Sequence, residues 1–211
     1  MRVLYDHQVF SRQIAGGASR YFYELMRFLS GIKEVEVEFL MGSSPTVYPF
    51  RELSSSDTHV RAFNGPPLPG VWRYATNEAF GDCIAPFLGR MDVYHPTLYR
   101  RMPLVRARRL VATHHDCTLE RYPREFRYAD AVIRAKKALY GRTDAIICVS
   151  ESCRKDLLEF YAVDPAKARV IHHGLRQFPR CPTAAGTPPR PRSGPTIGTS
   201  KRCRWRAAWP S

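Results

Sequence analysis

The sequence predicts an α/β fold, a doubly wound parallel sheet followed by a tail without regular structure. Three observations lead there. Apolar runs of strand length alternate with helix-length segments along residues 1–175. Distinctive polar residues stand where those runs end: Asp6 and Gly16–Gly17, His95, His115–Asp116, and Ser150. Packing has no need of that pattern, whereas ligands of open α/β sheets sit at the carboxyl ends of the strands. The alternation then stops near Leu175.

The elements follow in order. Arg2–Tyr5 (RVLY) is a short strand that ends at Asp6, and a polar loop carries Gly16 and Gly17. ASRYFYELMRFLS reads as a helix, with Tyr21, Leu25, Phe28 and Leu29 at core-facing spacing and Gly31 closing it. Val35–Met41 alternates with period two and makes the next strand. Residues 42–58 form a Ser/Pro/Thr-rich loop, His59–Phe63 a short strand and Gly65–Gly70 a turn. Val71–Leu88 is a helix whose apolar positions are Trp72, Phe80, Ile84 and Phe87. Asp92–His95 is a strand stopped by Pro96, and Arg109–Thr113 is another that runs into the cluster HHDC at 114–117. Arg124–Tyr140 reads as a basic amphipathic helix. Asp144–Val149 is a buried strand that carries Cys148 as a small hydrophobe. Ser150 is a natural N-cap for a helix over 151–161, with Glu151 in its first turn. Pro165 opens a short helical turn, and Arg169–His172 is the last strand.

Composition narrows the function classes. A chain of 211 residues holds one large domain, or one domain and a tail. No run of 18 apolar residues exists, so no membrane-spanning helix is expected, and the N-terminus lacks the apolar region of a secretory leader. A cytoplasmic location is the default. The six cysteines form no CxxC pair and no zinc spacing, so neither a metal site nor a structural disulfide is expected. Residues 176–211 hold eight basic residues and no acid, so most of the net charge of +14 is there. The body is mildly basic. That suits an anionic ligand or an acidic membrane surface without demanding nucleic acid.

The tail is rich in Arg, Pro, Ala and Gly, and lacks Val, Leu, Met and Tyr. It cannot bury an apolar face and is expected to be disordered. It reads as a solvated basic extension, as an RNA- or membrane-binding arm, or as GC-rich coding sequence translated out of frame after about Leu175. The abrupt change favours the last.

Three segments carry a resemblance. AGGASRYFYELMRFL pairs Gly-Gly with a following Arg-Tyr and Glu-Leu. LVATHHDCTLERYP is a strand ending in a His-Asp pair before Arg-Tyr-Pro. TDAIICVSESCRKDLLEFYAVDPAKARVIHHGL runs from a strand through Val-Ser, a helix and a proline turn to Val-Ile-x-x-Gly. In that order, over residues 1–175, they resemble the N-terminal domain of a family-4-like glycosyltransferase of the GT-B fold. The resemblance implies a Rossmann-like domain that receives the acceptor. A second domain would hold the nucleotide. It also implies transfer of a hexose from a nucleotide-sugar to a polysaccharide or glycolipid acceptor, with retention, no essential metal and no cofactor beyond the donor co-substrate. The family's paired-glutamate signature lies in the second domain, and no Glu follows Glu159 here. The chain alone is therefore expected to be inactive, and a nucleotide-sugar is expected as partner only with a C-terminal domain.

The candidate site residues are weighed against plainer roles. Gly16 and Gly17 lead into a helix N-terminus whose amides suit a phosphate. On residues alone they are equally an ordinary turn; the resemblance makes them a cleft loop. Arg20, one turn on, reads equally as an anion contact or a solvated arginine. The resemblance makes His115 and Asp116 the catalytic pair, lining the cleft and bonding the transferred sugar. The plainer reading is a strand-end histidine bonded to backbone. His114 points the other way, since neighbouring strand residues face opposite sides. His95 and Tyr99 are acceptor contacts or members of a polar loop. Ser150 and Glu151 are explained as cap and first-turn acid, and His172 and His173 as hinge contacts. The Arg134–Lys137 face reads first as solvated and second as a peripheral contact with anionic lipid, as in bilayer-associated family members.

Two rival functions stand beside the transferase. One is a non-catalytic remnant, or a half-enzyme that needs a separate nucleotide-binding chain. The other, ranked last, is nucleic-acid binding through the tail, which has no patterned aromatics beyond Trp205 and Trp209.

Overall fold

The computed structural model describes residues 1–43, 46–50, 60–64, 70–100 and 104–174, with backbone alone for 60–64 and 70–71. Met1–His173 make one compact unit. The second unit, Gly174–Ser211, lies outside the described residues except for Gly174. The expected tail at 176–211 and most of the loop at 42–58 therefore lie outside them as well.

Seven parallel strands form one sheet in the order β3-β2-β1-β4-β5-β6-β7. They are β1 (Arg2–Tyr5), β2 (Glu36–Gly42), β3 (Val60–Asn64), β4 (Met91–His95), β5 (Ala107–His114), β6 (Ala145–Cys148) and β7 (Ala168–Val170). The helices are α1 (Gln8–Arg12), α2 (Gly17–Ser30), α3 (Gly70–Ile84), α4 (Thr118–Arg121), α5 (Ala129–Tyr140) and α6 (Glu151–Phe160). Short 3₁₀ turns cover Ala85–Phe87, Pro123–Glu125 and Pro165–Lys167. This is the doubly wound, Rossmann-like arrangement that the alternation predicts. Strand order reverses between β1 and β4, where Tyr5 lies opposite His95. That is the topological switch point, where doubly wound sheets bind ligands outside the carboxyl ends of the strands.

The strands read as continuous apolar runs because both faces of the sheet are covered. Val3, Tyr5, Val37 and Phe39 pack with Phe10, Phe22, Met26 and Phe50 on one side. Leu4, Leu40, Tyr94, Ala112, Ile146 and Leu157 pack together on the other. Double coverage also corrects the expected alternation in β2. Glu38 is only 1% exposed. Its carboxylate accepts hydrogen bonds from Arg2 Nε, at 3.1 Å, and from Arg2 Nη2.

Two helix faces differ from the expected ones. In α2 the buried positions are Ser19, Phe22, Tyr23, Met26 and Ser30, while Phe28 is 71% exposed. Periodicity fits either stripe. The aromatic cluster at Tyr5, Phe10 and Phe39 decides the rotation, and no local pattern shows it. In α3, Trp72 is exposed, as is Phe87 just beyond the helix. The inward stripe is Asn77, Gly81 and Ala85, at i, i+4 and i+8. These small or polar residues let the helix approach closely, and Leu104 fills the space beside Gly81. The expected helix at 124–140 begins with a 3₁₀ turn at Pro123 and is α-helical only from Ala129.

Candidate functional site

At the carboxyl end of β1 the chain places a carboxylate with no solvent exposure. Asp6 Oδ1 accepts from the Thr97 hydroxyl at 2.6 Å and from the Thr97 amide at 3.0 Å. Its Oδ2 accepts from the Tyr94 hydroxyl at 2.8 Å and from Gln8 Nε2 at 2.9 Å. Asp6 thus ties the end of β1 to the end of β4.

A polar chain crosses from β4 to β5 and on to α2. His95 Nε2 and Thr113 Oγ1 share a hydrogen bond at 2.9 Å, and the Tyr21 hydroxyl lies 3.4 Å from the same Thr113 oxygen. His95 is buried against Tyr5 and Phe22. Burial drives its pKa down to about 3, against the opposing charge of Asp6, so the ring is neutral at pH 7.

The end of β5 separates two histidines as the strand period requires. His114 is buried on the far side, with Nδ1 2.8 Å from the Tyr140 hydroxyl and Nε2 3.3 Å from Cys117 Sγ. His115 faces α2 instead, with Tyr21 and Phe22 edge-on at 5.6 and 5.9 Å. His173 lies 6.2 Å from His115 and stacks on Tyr21 at 4.7 Å with a 21° tilt. Burial first, then the neighbouring His173, lowers the His115 pKa to about 4. Its Nε2 is shielded from solvent and has no hydrogen-bond partner among the described residues. An orphaned buried nitrogen of this kind costs about 1–3 kcal/mol.

Asp116 is exposed, and its Oδ1 accepts the Thr118 amide at 2.9 Å. Partial burial pushes its pKa up, but the Thr118 hydrogen bonds and the Lys136 charge prevail, and the carboxyl stays below its ordinary value. The Asp116 side chain therefore shapes the turn, while its neighbour carries the free valence.

Gly16 caps α2 with its carbonyl, which accepts from the Ser19 hydroxyl at 3.1 Å and the Tyr48 hydroxyl at 3.3 Å. Gln13 Oε1 takes the Ser19 amide at 3.4 Å. A Cβ on Gly17 would meet nothing within 4 Å, so its backbone is open to a ligand. Arg20 is exposed on the same helix. Tyr99 stands apart from these groups. Its ring lies 6.3 Å from Tyr140 and under the Lys136 ammonium at 4.8 Å.

The structure thus sets His115 just past the end of β5 and gathers Tyr21 and His173 around it. Neither was singled out for the site by its residue pattern. Tyr21 reads as one more apolar helix position, and His173 as a hinge residue. His95 lies beneath this group, bonded to Thr113, and Tyr99 belongs to a separate cluster. Lys136, counted in the Arg134–Lys137 face, is 1% exposed and does not belong to a solvated or lipid-facing surface. No group of three or more His, Cys, Asp or Glu side chains that could hold a metal occurs among the described residues.

A doubly wound sheet with a histidine and a glycine-led helix at the carboxyl ends of its strands is the arrangement in which open α/β folds hold their ligands. The chain belongs to Glycosyltransferase Family 4, whose sequence pattern matches residues 15–176. Among solved structures it is similar to Anabaena Alr3699/HepE in complex with UDP-glucose. That match has 17% identity and a TM-score of 0.50, and covers 83% of this chain and 44% of the other. The same protein with UDP and glucose gives 17% identity and a TM-score of 0.50, with 83% and 45% covered. At that identity the likeness shows the fold. The chain spans less than half the length of these structures. No curated protein matches it.

Proposed function

We propose that the chain is the acceptor-side domain of a glycosyltransferase that moves a hexose from a nucleotide-sugar to a polysaccharide or glycolipid acceptor. The observation that carries this is the unpartnered Nε2 of His115, set at the end of β5 between Tyr21 and His173 and closed off from solvent as it stands, so that a hydroxyl reaches it once one of those rings moves. A neutral imidazole offers one donor and one acceptor, which is what a sugar hydroxyl requires. Tyr21 and His173 add flat ring faces beside it. The open Gly17 backbone at the start of α2 suits a phosphate of the donor. HepE, which shares the fold, has been solved with UDP-glucose, and a nucleotide-sugar is the donor class we assign.

Stabilisation of the departing nucleotide diphosphate is the main task in such a transfer. On this reading most of the groups for it come from a second domain, with the Gly16–Gly17 loop contributing in part. The chain alone then turns over little or no donor. No separate cofactor is invoked, and we place the domain in the cytoplasm, peripheral at the inner face of the membrane.

The test is a UDP-glucose hydrolysis and transfer assay on the chain alone, paired with an NMR titration using a glucose oligosaccharide. Turnover should be absent or marginal, and Tyr21 and His115 resonances should shift on titration. Appreciable turnover that His115→Ala abolishes would refute the need for a second domain. Saccharide shifts that leave Tyr21 and His115 untouched would remove the site assignment.

A further inference from the structure

Lys136 is 1% exposed on α5, at a depth where a lysine is rare unless paired. Burying an ammonium and a carboxylate costs several kcal/mol per ion before they attract each other, so apolar residues of similar volume are often no less stable. The Lys136–Glu120 pair is buried in this way, with side chains 2% and 3% exposed. Its geometry shows what it holds. Lys136 Nζ donates to Glu120 Oε1 at 2.8 Å and to the main-chain oxygen of Asp116 at 2.9 Å. The ammonium sits over the Tyr99 ring, and Glu120 Oε1 also accepts from the Tyr161 hydroxyl. From the other neighbouring helix, α6, the Cys153 thiol donates to the main-chain oxygen of His115 at 2.9 Å.

Two consecutive carbonyls, those of His115 and Asp116, are thus each gripped by a side chain from a different helix. The Asp116 carboxylate then takes the Thr118 amide and closes the turn. With these peptide planes fixed, the direction in which the His115 ring leaves the backbone is fixed too. We propose that Lys136, held by Glu120 and backed by Tyr99, is a positioning residue for His115, with Cys153 as its counterpart on α6. The functional meaning rests on the glycosyltransferase reading above; the mechanical claim does not. Tyr99 on this view contacts Lys136 and no acceptor.

The test compares the wild-type chain with Lys136→Met/Glu120→Gln and with Cys153→Ala. Gln at 120 keeps an acceptor for Tyr161, so no lone charge is left buried. The readouts are ring-to-ring nuclear Overhauser contacts from His115 to Tyr21 and His173, and the titration of the His115 ring. The groups that act on that titration are His173, Asp116 and Lys136. In folded variants the ring contacts should weaken; loss of the Lys136 charge by itself raises the His115 midpoint in the double variant, so the midpoint is read in Cys153→Ala, where it should rise from about 4 towards 6.5. Cys153→Ala should weaken the contacts to a smaller extent, and it decides the matter if the double variant does not fold. Unchanged ring contacts in either folded variant would overturn the proposal. Saccharide binding is read in a separate titration. Its absence in the wild type would count against the sugar reading and leave the positioning result intact.

Discussion

Asp6 and Thr97 meet at 2.6 Å across the switch point, although 91 positions separate them in the chain. The Thr97 hydroxyl also accepts the Val9 amide at 3.0 Å, so α1 is joined to the same node. The contact holds the end of β1 against the turn after β4. Asp6→Asn replaces one acceptor oxygen with a donor facing other donors. We expect a loss of about 2–4 kcal/mol in stability, and about 1–3 kcal/mol for Thr97→Val. Urea unfolding of the two variants checks this. Wild-type stability in Asp6→Asn would show that the node is not structural.

The glycines separate into two kinds. Gly42 has φ +58, and a Cβ there would run into the side-chain amide of Asn77. That amide is itself fixed, since Asn77 Oδ1 accepts the Ser43 amide at 2.7 Å. Gly42→Ala should cost about 1–3 kcal/mol. Gly17→Ala meets no atom and sits in the first turn of α2, so stability should hold or rise by up to about 1 kcal/mol. If a donor phosphate approaches that backbone, the same variant should weaken UDP-glucose binding in a protein that includes the nucleotide-binding half. Thermal unfolding and calorimetry on the pair separate the two effects.

Acid should destabilise the fold in a defined window. His95, His114 and His115 all titrate below 6.5, with burial the largest cause in each, at about 3, 4 and 4. The unfolded chain binds protons at these rings before the folded one does, so stability is full above pH 6.5. It is lost as pH falls from there towards 4 for His114 and His115, and towards 3 for His95. Each ring contributes at most about 1.4 kcal/mol per pH unit within its window. The urea midpoint should therefore drop steadily from pH 7 to pH 4, and His95→Gln should flatten part of that slope. A midpoint independent of pH would mean that these rings are hydrated in solution.

The strands, their order along the chain and their polar ends were legible because alternation and strand-end residues are local signals. Ser150 is an N-cap as expected, accepting the Cys153 amide at 3.1 Å. The helix faces of α2 and α3 were not legible, because the choice between neighbouring stripes depends on distant partners such as Tyr5, Phe39 and Leu104. His115 could be picked out by its place after a strand. Tyr21 and His173 could not, since they stand 152 positions apart and only the folded sheet stacks one ring on the other. Lys136 misled for the same reason. A lysine in a basic helical run reads as solvated, and only its reach to Glu120 and the Asp116 carbonyl reveals otherwise.

His173 supplies the last prediction. It belongs to the compact unit, stacks on Tyr21 and stands beside His115, whose Nε2 is closed off from solvent. If its ring provides that cover, His173→Ala should open the nitrogen to water and also remove a neighbour that disfavours a second positive charge. Both changes act in one direction, so the His115 pKa should rise from about 4 towards 6.5. Tyr21→Phe keeps the stacked ring and should leave that value nearly in place, because only the long 3.4 Å contact to Thr113 is lost. Imidazole nitrogen chemical shifts followed across pH would read all three proteins. An unmoved His115 in His173→Ala would mean that Tyr21 and Phe22 alone enclose it. The segment after β7 would then have no part in the site.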